Sequence, residues 1–502
     1  MNSNILENEI GTDSSNNIIS PENILTEEGN EIGKEFNKKE KYQVLTDEKE
    51  SPLSTNINNQ TLISIEKSID KRSIFKKLFS KIEEGSLRGC IFNLCILSLG
   101  TGCLALPQKI KYFTIIFSPI IIILAGIANI WSLLILSEMS SKYHITKYDE
   151  LVKKLLGKTL SLFLDITMIL NQSGMIILYQ VILYKLTGGI VNEIGRYNYE
   201  NIEDFSKNSF WKKYLYKFSV CYGISFVILF PLCLQKDINK MRYSSTFGLY
   251  SLFLLIFIII IECPFFIAEW DDSVKLNYYN ILKGFDKDMN FLKSLSTLFY
   301  AFSCHVGAFP VIESLKNPTK KRINKVFKRA IFLDIICYLI IGLSGYLTQP
   351  LNTPDLIIER TNLNNFKHDF IMLFGQICFI LTLFAKICAN WNALRVSLLS
   401  VLGKDSKNYT NFLNVILTFT FLITSTLIAV LFQSVSDYIS LIGSFCSVII
   451  CFVIPGLIYI KGNQLPLRNY KNIFTIFIIF LLSCFGALSG LFTIKNIIKN
   501  EK

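Results

Sequence analysis

Two segments of this chain join long apolar runs to residues that interrupt a helix. The first reads Ile91-Phe92-Asn93-Leu94-Cys95-Ile96-Leu97-Ser98-Leu99-Gly100-Thr101-Gly102-Cys103-Leu104-Ala105-Leu106-Pro107, and the second Tyr300-Ala301-Phe302-Ser303-Cys304-His305-Val306-Gly307-Ala308-Phe309-Pro310. Unwinding after Ser98 and Leu99, at Gly100-Thr101-Gly102, would free backbone N–H groups at the N-terminus of the following half-helix, where the helix dipole is positive. Such groups suit a carboxylate, and glycine lets the backbone approach a ligand closely. In the second segment the carbonyls near Ser303 and Cys304, with His305 beside them, can receive an ammonium group. The two breaks together would hold both ends of a zwitterion. The other reading is a packing notch at Gly100 and Gly102 and a plain proline kink at Pro310. A cavity is preferred because irregular backbone at membrane depth is tolerated where it lines one.

Polar residues inside apolar runs are costly and so often functional. Asn171, Gln172 and Ser173 fall near the middle of one run, with Tyr179 a turn or two beyond; they serve either a substrate or helix-to-helix hydrogen bonds. His305 either titrates or bonds carbonyls freed by the break. Glu262 is a candidate for ion coupling, or reaches toward the interface. Asp334 could pair with the basic loop that precedes its run. Lys386 is the sharper case. It stands nine residues before Arg395, which at 1.5 Å per residue places it roughly 13 Å inside the membrane. That distance needs a partner or a water-lined cavity.

The elements that must position these residues are membrane helices. Of the 502 residues 51% are hydrophobic and 18% charged, too apolar for a set of soluble domains, and blocks such as Ile115–Leu136 read as spans. Apolar windows fall at about 87–106, 113–137, 161–188, 213–233, 245–268, 291–312, 327–348, 370–394, 411–433, 436–460 and 472–494. An all-α membrane protein of about eleven transmembrane helices follows. With the N-terminus inside, the inner loops carry 21 Lys/Arg in 78 residues and the outer segments 13 in 84. The positive-inside rule therefore places the N-terminus in the cytosol, and an odd span count places the C-terminus opposite. The interrupted helices are the first and the sixth. Five spans apart means that the second half is inverted, the pattern of a transporter's central site.

Residues 1–70 are rich in Asn, Ser, Glu and Lys and are expected to be a disordered cytosolic tail. The start MNSNILENEI lacks the apolar core of a cleaved signal peptide. At 71–86 an amphipathic segment with Ile74, Phe75, Leu78, Phe79 and Ile82 on one face is either an interfacial helix or an extension of the first span. Residues 1–84 carry net −5 and the rest +17, so the basic excess belongs to membrane loops, and no nucleic acid is expected. The 13 cysteines lie in or beside apolar blocks and serve as packing residues. No metal site, cofactor or nucleotide motif is expected.

Several of these strings together resemble the amino acid/auxin permease family, and within it transporters of apicomplexan parasites. They are Phe92-Asn93-Leu94 with Gly100-Thr101-Gly102 and Leu106-Pro107, then Cys304-His305 with Glu313, Asn317-Pro318 and Lys321-Arg322. Tyr338 with Gly345-Tyr346, Asp437 with Gly443-Ser444, and Ile454-Pro455-Gly456 complete the likeness, which covers about 85–495. The resemblance implies a leucine-transporter-type fold of two five-helix inverted repeats, here 87–268 and 291–460, with 472–494 as an eleventh helix. It implies an amino acid or small amine as substrate, moved by alternating access, with the third helix facing it. It also implies a plasma membrane or an acidic vacuolar or digestive compartment. Sodium-coupled members use a first-span Asn and an eighth-span Thr at the positions of Ile96 and Lys386, so sodium-independent transport is expected, with protons as the candidate coupling ion.

The working reading is a secondary or facilitative amino acid transporter and not an enzyme, since no His, Cys and carboxylate cluster stands at catalytic spacing. The first rival is an amino-acid sensor that uses the same pocket, with the acidic tail as its signalling part. The second is a channel.

Overall fold

The structure, a computed structural model, describes residues 85–196, 223–235, 242–270, 290–360, 370–401, 410–432 and 434–500. The tail, and nearly all of the amphipathic segment at 71–86, lie outside them.

The first span begins where the Ser86 hydroxyl accepts the Gly89 N–H at 3.1 Å, an N-cap that starts α1, Leu87–Ser98. The helix stops at Leu99 and Gly100, and α2, Thr101–Phe113, leaves at a bend of 55°. The second span, α3 at Phe117–Tyr143, is closed by His144 in the left-handed conformation. A short helix, α4 at Tyr148–Leu156, has acidic residues in its first turn and basic ones in its last, as the helix dipole favours. It leads into α5, Lys158–Arg196. A π-helical turn at Ser225–Leu229 and α6, Phe230–Cys233, are followed by α7, Arg242–Ala268.

The sixth span is also divided, into α8, Asn290–Ala301, and α9, His305–Ser314. Then come α10, Lys320–Thr348, a 3-10 turn at Ile357–Glu359, α11, Phe370–Val401, and α12, Asn411–Leu431. The tenth span starts as α13, Val435–Leu441, runs through π-helical turns at Ile442–Ser447 and Ile449–Val453, and ends as α14, Ile454–Gly462. The last helix is α15, Tyr470–Asn500.

Among the described residues nine helices are long and apolar enough to cross a membrane, and ten when α1 and α2 count as one span. The remaining expected span, 213–233, lies partly outside the described residues. No strand occurs among them. The described residues therefore form an all-helical membrane architecture with its first and sixth spans interrupted.

The seventh span, α10, organises the centre by packing along α1, α2, α3 and α7. The sixth packs tightly against the tenth, where a Cβ on Gly443 would fall 2.0 Å from the Ser296 carbonyl oxygen; only glycine permits that approach. At the end of α11, the Arg395 guanidinium donates to the carbonyls of Cys233 and Gln235 and to the side chains of Asn392 and Asn414. That one residue ties the eighth span to the fourth and ninth.

Candidate functional site

At the first break the Leu99 N–H still donates to the Cys95 carbonyl at 2.7 Å. Beyond it Leu99 and Gly100 leave helical geometry, with φ/ψ of −70/92° and −137/−146°. The Ser98 and Leu99 carbonyls are thus left for donors from other spans. The Tyr338 hydroxyl lies 2.9 Å from the Ser98 carbonyl, and Lys386 Nζ donates to the Leu99 carbonyl at 3.4 Å. Gly100 occupies the N-cap of α2 and makes no side-chain cap bond, so the first N–H groups of α2 are the positive end of a half-helix.

The second break runs over Phe302, Ser303 and Cys304, upstream of Pro310, which sits inside α9. The interruption is not a proline kink. Its carbonyls are held by protein donors: the Ala301 carbonyl lies 2.6 Å from the same Tyr338 hydroxyl, and the Phe302 carbonyl accepts from Asn129 Nδ2 at 2.8 Å. Ser303 Oγ accepts a weak bond from the Cys451 thiol, and the Cys304 carbonyl accepts the Gly307 N–H. His305, wholly buried, has Nε2 at 3.0 Å from Ser132 Oγ. Ser132 gives its single hydrogen to the Cys451 carbonyl, so His305 Nε2 is the donor and Nδ1 stays without a partner.

The two breaks meet. Thr101 Oγ1 and the Tyr300 hydroxyl stand 3.0 Å apart, and Tyr179 from the third span lies beside Tyr300. Gly102 lies against the sixth span, where an added Cβ would fall 2.8 Å from Ala301 Cα. Ser98, Leu99, Gly100, Thr101, Gly102, Tyr179, Ser303, Cys304 and His305 are thereby brought to one level. Asn171 and Gln172 are buried on the same helix as Tyr179, and their side-chain oxygens have no hydrogen-bond partner. No hydrogen bond ties either of them to a break.

The three ionisable residues singled out by position have different settings. Asp334 turns away from the basic loop; its Oδ2 accepts from Ser98 Oγ at 2.5 Å. Lys386 does find a partner, the Leu99 carbonyl. Glu262 forms a buried ion pair with Arg360, whose guanidinium also lies 4.4 Å from the centre of the Phe266 ring.

The sequence matches the family model for the transmembrane amino acid transporter protein over residues 83–498. The chain belongs to that family. It is similar to amino acid transporter AVT6E of Arabidopsis thaliana, 23% identical, with 84% of this chain and 85% of that one covered. It is also similar to vacuolar amino acid transporter 5 of Schizosaccharomyces pombe, 22% identical over 75% and 87%, and to the AAT1 chain of Plasmodium falciparum, 22% identical over 85% and 74%. Among solved structures it is similar to the crystal structure of MhsT in complex with L-phenylalanine, with a TM-score of 0.49 and 13% identity over 82% of this chain and 100% of that one.

In this family member several site residues carried little sequence signal. Asn129 and Ser132 hold the sixth-span break from α3; two polar residues three apart in one of the most apolar blocks were the available sign. Buried Lys109, at the far end of α2, donates to Gln108 Oε1 and Ser436 Oγ, both at 2.6 Å, beside the Lys293–Asp437 ion pair at 2.6 Å. On sequence alone Lys109 reads as a loop residue, because it follows Pro107.

Proposed function

We propose that this chain carries amino acids across a membrane by alternating access, with the paired breaks as the substrate's site. Family membership supports the substrate class. The observation that carries the reading is the Tyr338 hydroxyl placed between the Ser98 and Ala301 carbonyls, which sets both breaks at one level. An amino acid's carboxylate would meet the uncapped N–H groups of α2. Its ammonium would need carbonyls of the sixth-span break, so Tyr338 or Asn129 must yield a bond as the substrate enters.

Transport is sodium-independent in this reading. Where sodium-coupled members of the resembling family carry Asn and Thr, this chain has Ile96 and Lys386, and the Lys386 ammonium lies on the Leu99 carbonyl. A fixed positive charge there repels a second cation. Protons are the proposed coupling ion. The N-terminus is cytosolic, in keeping with the Lys/Arg excess of alternate loops. An acidic vacuole-type membrane is the proposed location, supported by relatives named as vacuolar transporters.

Uptake of a panel of radiolabelled amino acids into liposomes holding the purified chain tests the reading, at two pH values and with or without sodium. Saturable uptake that responds to pH and ignores sodium is expected. A steep rise with sodium at constant pH overturns the sodium part, and currents without saturation or trans-stimulation would indicate a channel.

A further inference from the structure

Asp334 is wholly buried, halfway along α10 and at the depth of the first break. Its Oδ2 accepts from Ser98 Oγ, and its Oδ1 has no hydrogen-bond partner. No salt bridge reaches it among the described residues; Lys386 lies across the break on the Leu99 carbonyl. The titratable groups that face it are the thiols of Cys95 and Cys103 from the first span, Cys304 from the sixth-span break, and Cys337 and Tyr338 from its own helix. Among the described residues none facing it comes from α3 or α7. A carboxylate at this depth, with one good donor, needs a further positive charge. A hard metal cation wants several oxygen ligands, and these neighbours are mostly sulfur. A proton needs only the free Oδ1.

We infer that Asp334 is the residue that carries the coupled proton, an inference that rests on the transport reading above. The proton adds to Oδ1 and turns the carboxylate into a carboxylic acid, with no other bond broken. The link to movement runs through α10. Asp334 and Tyr338 are four residues apart on one helical face, and between them they hold the Ser98 hydroxyl, the Ser98 carbonyl and the Ala301 carbonyl. Protonation replaces the charge-assisted Ser98 bond with a weaker neutral one. The grip of the seventh span on the end of α1 loosens, and the broken helices are freed to rearrange in the loaded state.

The test uses the full chain in liposomes, with a tritiated mixture of the protein amino acids as probe. Exchange is measured at equal pH on both sides, and accumulation is measured under a pH gradient. The wild type is expected to exchange and to accumulate with the gradient. Asp334→Asn is expected to keep exchange within about twofold while losing gradient-driven accumulation, and Asp334→Glu to keep both. Difference infrared spectra should contain a protonated carboxyl band that disappears in Asp334→Asn. Gradient-driven accumulation by Asp334→Asn would overturn the inference. So would equal loss of exchange and accumulation in both variants, which marks a purely structural residue. A wild type that exchanges but ignores the gradient would overturn the inference and leave amino acid transport standing, whereas a wild type that moves none of the probe would overturn the transport reading and the inference with it.

Discussion

The Lys386 ammonium donates to the Leu99 carbonyl at 3.4 Å, and a Cβ on Gly100 would stand 3.2 Å from the same nitrogen. The eighth span thus supplies a positive charge to the negative end of α1, where a helix welcomes a cation. Lys386→Ala should cut uptake by about tenfold or more, because it leaves the Leu99 carbonyl without its donor. Lys386→Arg should retain the brace and much of the flux. Initial rates normalised to protein in the membrane check this, and an unaffected Lys386→Ala variant would remove the residue from the mechanism.

Gly102 separates two explanations of one substitution. A Cβ there would meet Ala301 Cα at 2.8 Å and Ala301 Cβ at 3.0 Å, an overpacking worth about 1–3 kcal/mol. Gly102→Ala should therefore lose most uptake, and Gly102→Val should abolish it while the protein still reaches the membrane. Adding Ala301→Gly to Gly102→Ala relieves part of the clash. Recovery of flux in the double variant would assign Gly102 to helix contact, and continued loss with normal folding would assign it to substrate. Normal affinity in Gly102→Val would remove the first break from the site.

How much of this was legible in the sequence depends on whether an effect is local. The first break was readable at Gly100, because glycine weakens a helix wherever it sits. At the sixth span the reading that placed the break near Ser303 and Cys304, and not the alternative of a kink at Pro310, matches the structure. Pro310 lies inside α9, and the break precedes it at Phe302 to Cys304, held open by Asn129 and Tyr338 from distant positions. Asp334 was visible as a carboxylate in an apolar run, yet its partner Ser98 is 236 residues away. Which face of α10 meets α1 depends on the rotation of packed helices, and spacing along one helix does not encode that.

Glu359 offers a pH test outside the spans. Burial pushes its carboxyl above the ordinary range, and Lys185, 3.6 Å away, opposes the shift without cancelling it. A carboxyl whose folded value is raised contributes stability that is fully present below its unfolded value and is lost as pH rises through the folded one. Acidification from neutral pH should therefore stabilise the wild type through this residue. Glu359→Gln should show a smaller rise in thermal stability over the same range. Identical pH profiles would show that Glu359 is not strained by its burial.

Tyr338 gives the most direct test of the paired breaks. Its hydroxyl has one hydrogen and two carbonyls within reach, Ser98 at 2.9 Å and Ala301 at 2.6 Å, and its ring packs edge-on against Phe302 with centroids 4.8 Å apart. Tyr338→Phe keeps the ring and removes the bridge. A buried carbonyl left unpaired costs about 1–3 kcal/mol, so the variant should lose stability by that amount, read from denaturation midpoints in detergent. Its effect on transport should differ from that of a packing defect. With the bridge gone, the Ala301 carbonyl is available to an ammonium without competition, so the KM should fall or hold. The maximal rate should drop, because the two half-helix ends no longer move as one unit. A higher KM with an unchanged maximal rate would indicate that Tyr338 contacts the substrate directly and does not couple the breaks.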